Sequence, residues 1–233
     1  MNLSNHSNTT AVTTEEIRRC IEKKKWTSVR RKLQNSNAEE AIMDNEGNQM
    51  LLAACKYGAP ADIILTLVSV KPELLQERDD KCGHTPLHVA CLNVTTKKNT
   101  PDVLSALVKQ HPSAALCRDS CGNTPLHLIC NNPCRSPLAL IAIDILSSRV
   151  PAALMIENED GHTPLELFLL SQDHEAYFDG ESLQECALTI MHTFSSKYLR
   201  NAQRKKRKEA STSTYSQEHD LTGQEKVVLI AAS

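Results

Sequence analysis

Cys82–Cys91 reads CGHTPLHVAC and Cys121–Cys130 reads CGNTPLHLIC, a near-repetition that decides how the chain is organised. A histidine between two cysteines admits two readings. One is chemistry, with thiols and imidazole gathered for a metal or for nucleophilic catalysis. The other is architecture, a unit written repeatedly because it stacks on itself. The wider spacing favours the second. Glycines stand at Gly47, Gly83, Gly122 and Gly161, at intervals of 36, 39 and 39 residues. They are followed by NQMLLAAC, HTPLHVAC, NTPLHLIC and HTPLELFL. Such a period is the signature of a solenoid, in which each unit buries its apolar face against the next.

The residue types explain themselves within that frame. A polar residue precedes each glycine closely: Asp44, Asp79 with Asp80, Asp119 and Asn158. Glycine supplies positive φ in the tight turn before a helix. Thr85, Thr124 and Thr163 are expected N-caps. Pro86, Pro125 and Pro164 follow them in the first helical turn, where the missing N–H costs nothing. Leu87, Ala90 and Cys91 then fall at i, i+3 and i+4, a single buried face, and Leu126, Ile129 and Cys130 repeat it. A second helix is expected at ADIILTLVSV, PDVLSALVKQ, PLALIAIDILSSRV and SLQECALTIMHTF, with Pro60, Pro101 and Pro137 at the starts of the first three. Segments led by Pro72, Pro112 and Pro151 join one unit to the next.

With G-x-T-P-L-H intact at Gly83–His88 and Gly122–His127, and GHTPLE at Gly161–Glu166, the chain resembles the ankyrin-repeat family across residues 14–198. The resemblance implies an all-α ankyrin solenoid of about five stacked helix pairs with short β-hairpin-like fingers. The units would be 14–46, 47–82, 83–121, 122–160 and 161–198, between a disordered 1–13 and a polar, basic, disordered 199–233. The family's repeat is about 33 residues, so these units carry insertions, NVTTKKNT and NNPCRS among them. The first pair, with Ile17, Cys20, Ile21, Val29 and Leu33 inward and Trp26 over the joint, reads as a cap, as does the last unit with Glu166 in the histidine's place. The family's histidine, here His88 and His127, is similar to a structural brace within the turn and to its neighbour.

Composition sets the exclusions. The chain has 233 residues, net charge −2 and 3% aromatics, so no global field draws it to nucleic acid and no aromatic-rich sheet core is expected. Nothing reaches the roughly 18–20 apolar residues of a membrane span, and the first fourteen residues contain no apolar run like a secretory signal. Nine cysteines, an odd number, are expected to be reduced. Cys55, Cys91 and Cys130 share one repeat position and serve there as small apolar residues. Cys117, Cys121, Cys130 and Cys134 spell C-x3-C-x8-C-x3-C, loosely like zinc ligands, but gathering them would break the repeat. No cofactor, metal or catalytic residue is expected, and a zinc- or thiol-dependent enzyme is only a remote alternative.

Function is therefore expected to be protein–protein interaction, as a cytoplasmic monomeric scaffold using the concave face of the array, with the partner unidentified. The side chains read as available there flank the glycines: Asn45, Glu46 and Asn48; Lys81 and His84; Ser120 and Asn123; Glu159, Asp160 and His162. Helix ends add Lys56, Tyr57, Leu92, Asn93, Asn131 and Asn132, and tyrosine is favoured in binding hot spots. The alternative is a nuclear adaptor, since Arg204, Lys205, Lys206, Arg207 and Lys208 form a basic run suited to import or phosphate contact.

Overall fold

The computed structural model describes residues 13–35, 38–43, 49–94, 100–131, 137–170 and 195. Ten helices lie in these segments: α1 Thr14–Glu22, α2 Trp26–Leu33, α3 Ala38–Met43, α4 Met50–Tyr57, α5 Ala61–Val70, α6 Pro86–Leu92, α7 Thr100–Gln110, α8 Pro125–Cys130, α9 Pro137–Arg149 and α10 Pro164–Leu170. No strand occurs among the described residues. The helix expected over SLQECALTIMHTF, and the tail beyond it, lie outside them.

Helices of one kind pack on one another along the chain. One layer runs α1, α4, α6, α8, α10, and a second runs α2, α5, α7, α9. The core between them is aliphatic: Ile17, Ile21, Leu51, Ile63, Ile64, Leu67, Leu87, Leu104, Leu107 and Leu126 are almost fully buried. Trp26 and Tyr57 pack against this core while keeping part of their surface outside. The bidentate pair of Arg30 with Asp62, at 2.5 and 3.0 Å, ties α2 to α5.

The proline-led segments are 3-10 turns, at Pro72–Gln76, Pro112–Leu116 and Pro151–Met155, each starting on its proline. They bury Leu74 and Leu75, Ala114 and Ala115, and Ala153 and Leu154. The first unit has a short helix at the corresponding place. That helix, α3, was not foreseen from the sequence; it buries Ala38, Ala41 and Ile42 and accepts the Thr14 hydroxyl at the Ala41 carbonyl, 2.7 Å. Without a proline to fix the entry, AEEAIM winds as α-helix.

Two helix ends share one solution. α4 ends at Gly58 with φ +78°, and Ala59 N–H reaches back to the Ala54 carbonyl at 2.8 Å. α1 ends with the same backbone path, Lys25 N–H to Cys20 and Lys24 N–H to Ile21, both 2.9 Å. Its left-handed residue is Lys24, at φ +53°. Such Schellman ends favour glycine, because a Cβ is strained there.

Candidate functional site

The histidines explain how one unit holds the next. Thr85 N–H donates to His88 Nδ1 at 3.2 Å, and His88 Nε2 lies 3.0 Å from the carbonyl of Asn123. Since a backbone N–H can only donate, Nδ1 accepts, and Nε2 carries the proton given to Asn123. His127 does the same one unit on, with Thr124 N–H at 3.0 Å and the His162 carbonyl at 3.0 Å. One nitrogen caps the histidine's own helix in a capping box, and the other grips the following finger. In the third copy Glu166 takes both the N–H and the hydroxyl of Thr163, at 2.7 and 2.9 Å, and so performs the local half of the task. Burial pushes the imidazole of His88 down to about 4 and lowers that of His127. Both rings are thus neutral at pH 7, as their bonds require.

The fingers are turns, each closed by two backbone bonds: Asp79 N–H to the His84 carbonyl with Gly83 N–H back to Asp79, Asp119 N–H to Asn123 with Gly122 N–H back to Asp119, and Asn158 N–H to His162 with Gly161 N–H back to Asn158. Neighbouring fingers are stitched together. Ser120 N–H donates to Cys82 at 2.8 Å and Glu159 N–H to Cys121 at 3.2 Å. Arg78 Nη1 bridges the carbonyls of Gly83 and Arg118, at 2.8 and 2.7 Å. Close approach is why glycine stands at 122: a Cβ there would sit 2.7 Å from Glu159 N, with φ at +75° besides.

On the face carrying α1, α4, α6 and the first finger lies a groove of about 540 Å3. Leu52, Ala53, Tyr57, Val89 and Leu92 give it apolar surface, and Arg18, Glu22, Lys56, Asp79, Asp80 and Lys81 supply charges of both signs. Leu92 is 43% exposed, although it is a leucine on a seven-residue helix otherwise largely buried. The Lys56 ammonium lies 5.8 Å from the centre of the Tyr57 ring.

Six of the residues read from the sequence as available to a partner line this groove together: Lys56, Tyr57, Lys81, His84, Leu92 and Asn93. Ser120, Asn131, Glu159 and Asp160 are exposed further along the array and do not join it. Several, two of the groove residues among them, are occupied within the fold. Asn93 Nδ2 donates to the carbonyls of Cys55, Lys56 and Val89, at 3.0 to 3.2 Å, fastening α6 to the end of α4. Asn123 Oδ1 accepts from Asn158 at 3.0 Å. His162 gives its carbonyl to His127 and its N–H to Asn158. His84 lies between two carboxylates, Nδ1 3.2 Å from Asp79 and Nε2 3.4 Å from Asp119, and stacks on His88 at 5.7 Å. Sequence reasoning missed Leu52, Val89 and Arg18 as groove residues. Asn45, Glu46, Asn48, Asn132 and Arg204–Lys208 lie outside the described residues.

Cys55, Cys91 and Cys130 are buried at their shared repeat position, while Cys82 and Cys121 are exposed in the fingers. Burial pushes the Cys55 thiol up to about 12 and the Cys91 thiol well above its ordinary value, so neither offers a thiolate at neutral pH. In the C-x3-C-x8-C-x3-C series Cys130 is buried in α8 whereas Cys121 faces solvent, and Cys134 is outside the described residues. No described helix is long and apolar enough to cross a membrane. Comparison with protein-family models returns no match, nor does comparison with curated protein sequences.

Proposed function

We propose that the chain is an ankyrin-type repeat protein that binds a partner protein, without catalysis, along the face bearing α4, α6 and the first finger. One observation carries this reading: the groove there gathers an exposed leucine and a tyrosine amid charged residues of both signs. An apolar centre with an aromatic anchor and a polar rim is the anatomy of protein interfaces. The histidine braces and finger-to-finger bonds support the reading from the other side. They hold the face in one arrangement before a partner arrives, so little conformational entropy is lost on association. The histidine brace, repeated with G-x-T-P-L-H, supports the ankyrin assignment.

The test is capture of a partner from native lysate with three baits. Lys56→Glu/Lys81→Glu/Leu92→Glu alters exposed groove residues that brace nothing, and Ile141→Glu alters an exposed residue of α9 in the other layer. Wild type and Ile141→Glu should retain the same protein and the triple variant should lose it, all three melting alike. Retention by the triple variant would place binding elsewhere. The nuclear-adaptor reading rests on the run Arg204–Lys208 alone. Nuclear accumulation of a reporter fused to residues 198–215 would favour it.

A further inference from the structure

We propose that the first finger is a binding site for a divalent cation of the zinc class, held by the Asp79 carboxylate, the Cys82 thiolate and His84 Nδ1. The ligand atoms of these three residues all lie within 4.8 Å of one another, the one such group among the described residues. His84 Nδ1 and Asp79 Oδ2 are 3.2 Å apart. Tetrahedral zinc, with Zn–N and Zn–O bonds of about 2.0–2.2 Å, sets its ligands roughly 3.3 Å apart. That edge of the coordination tetrahedron is therefore already in place, and a cation replaces the proton between the two atoms.

The surroundings orient these ligands. Asp79 Oδ1 accepts Lys81 N–H at 3.0 Å and Cys82 N–H at 2.7 Å, which turns Oδ2 toward His84 and ties Cys82 to the same turn. His84 presents its other nitrogen to Asp119 Oδ2 at 3.4 Å, and the Asp119 side chain is only 4% exposed. A carboxylate on the far nitrogen of a ligating histidine fixes its tautomer and strengthens it as a ligand. With Nε2–H directed at Asp119, Nδ1 is the nitrogen that would take the metal in place of a proton.

The repeat supplies an internal control. The second finger, one residue shorter, closes by a similar pair of backbone bonds with Asp119, Cys121 and Asn123, and the third with Asn158, Asp160 and His162. One lacks the histidine and the other the cysteine, so the turn itself demands neither. Only the first finger, among those described, unites carboxylate, thiol and imidazole. The set also selects the ion. Calcium and magnesium want several oxygen ligands, whereas one sulfur, one nitrogen and one oxygen suit a borderline cation with water in the fourth position. Thiolate and carboxylate together neutralise the charge of the ion. Cys82 is exposed and all three residues line the groove, so ion and water have access. This site does not depend on the groove's role in partner binding.

The test is titration of the full-length, metal-free, reduced protein with Co2+. The expected result is one ion per chain, with a thiolate-to-cobalt charge-transfer band that stoichiometric Zn2+ abolishes. Cys82→Ser and His84→Asn should each remove the band, the latter installing the residue that the second finger carries. Cys121→Ser should leave it intact. Asp119→Asn should keep the band and weaken binding about 10- to 100-fold. Absence of a band in the wild type at one equivalent, its survival in Cys82→Ser, or its loss in Cys121→Ser would each overturn the proposal.

Discussion

Acidification to pH 5.0 should loosen the array through its buried histidines, by an amount the structure sets. His88 is completely buried, accepts Thr85 N–H on Nδ1, and is pushed down to about 4 by desolvation. In the unfolded chain the same imidazole titrates near its ordinary value of 6.5. The unfolded state therefore binds more protons between those two values, and stability falls as pH drops through 6.5 and levels off near 4. At roughly 1.4 kcal/mol per pH unit of displacement, His88 alone removes about 2 kcal/mol between pH 7.5 and 5.0. His127 is shifted in the same direction by the same cause and adds to the loss. Asp62 and Asp79 are lowered below the usual carboxylate value, and their losses begin at more acid pH. The assay is urea unfolding followed by far-UV circular dichroism at both pH values, on wild type and on His88→Asn/His127→Asn. Wild type should lose at least about 2 kcal/mol on acidification, and the double variant, whatever its absolute stability, should lose much less. A midpoint unmoved by acidification, or an equal slope in the double variant, would refute the reasoning. A proton-coupled titration of His88 by NMR provides the same check without a variant, the ring staying neutral well below pH 6.

Four substitutions probe separate parts of the fold by urea unfolding. Gly161→Ala meets nothing within 4 Å and suffers only the left-handed strain at φ +78°, about 1–2 kcal/mol. Gly122→Ala adds a clash with the Glu159 backbone and should lose about 1–3 kcal/mol more; equal losses would contradict the close finger contact. Lys24→Gly should instead raise stability by about 0.5–1 kcal/mol, strain relief outweighing the entropy of the added glycine. A loss there would mean that Lys24 is not left-handed in solution. Leu126→Ala, at a fully buried position, should lower stability by about 2–5 kcal/mol, and an unchanged midpoint would contradict the helix register.

What the sequence made legible was whatever a residue enforces on its own neighbours. Proline is tolerated at the start of a helix and not in its interior, and α5 begins at Ala61, directly after Pro60, as the spacing predicts. Positive φ at Gly83, Gly122 and Gly161 follows from the turn the chain must make. The roles of Asn93, Asn123 and His84 were not legible, because each takes a partner from a neighbouring unit: Asn93 from the preceding one, Asn123 and His84 from the following one. Asn93 reaches Cys55 across 38 residues, and Asn158 reaches Asn123 across 35. In a local reading such polar side chains in turns look free. The groove residues Leu52 and Val89 were missed for the opposite reason: on an apolar helix they look like core, and only the stacking of α4 beside α6 leaves them bordering an opening.

The most direct test of the binding face is site-specific photo-crosslinking in native lysate, with a photoreactive phenylalanine analogue placed at Leu92 or at Ile141. Both side chains are exposed, 43% and 47%, so each probe is accommodated without disturbing the core. Adducts of one defined mass that form from position 92, fail to form from position 141, and disappear when Lys56→Glu and Lys81→Glu are added are the result this account predicts. Adducts from position 141 alone, or the same adducts from both positions, would contradict it.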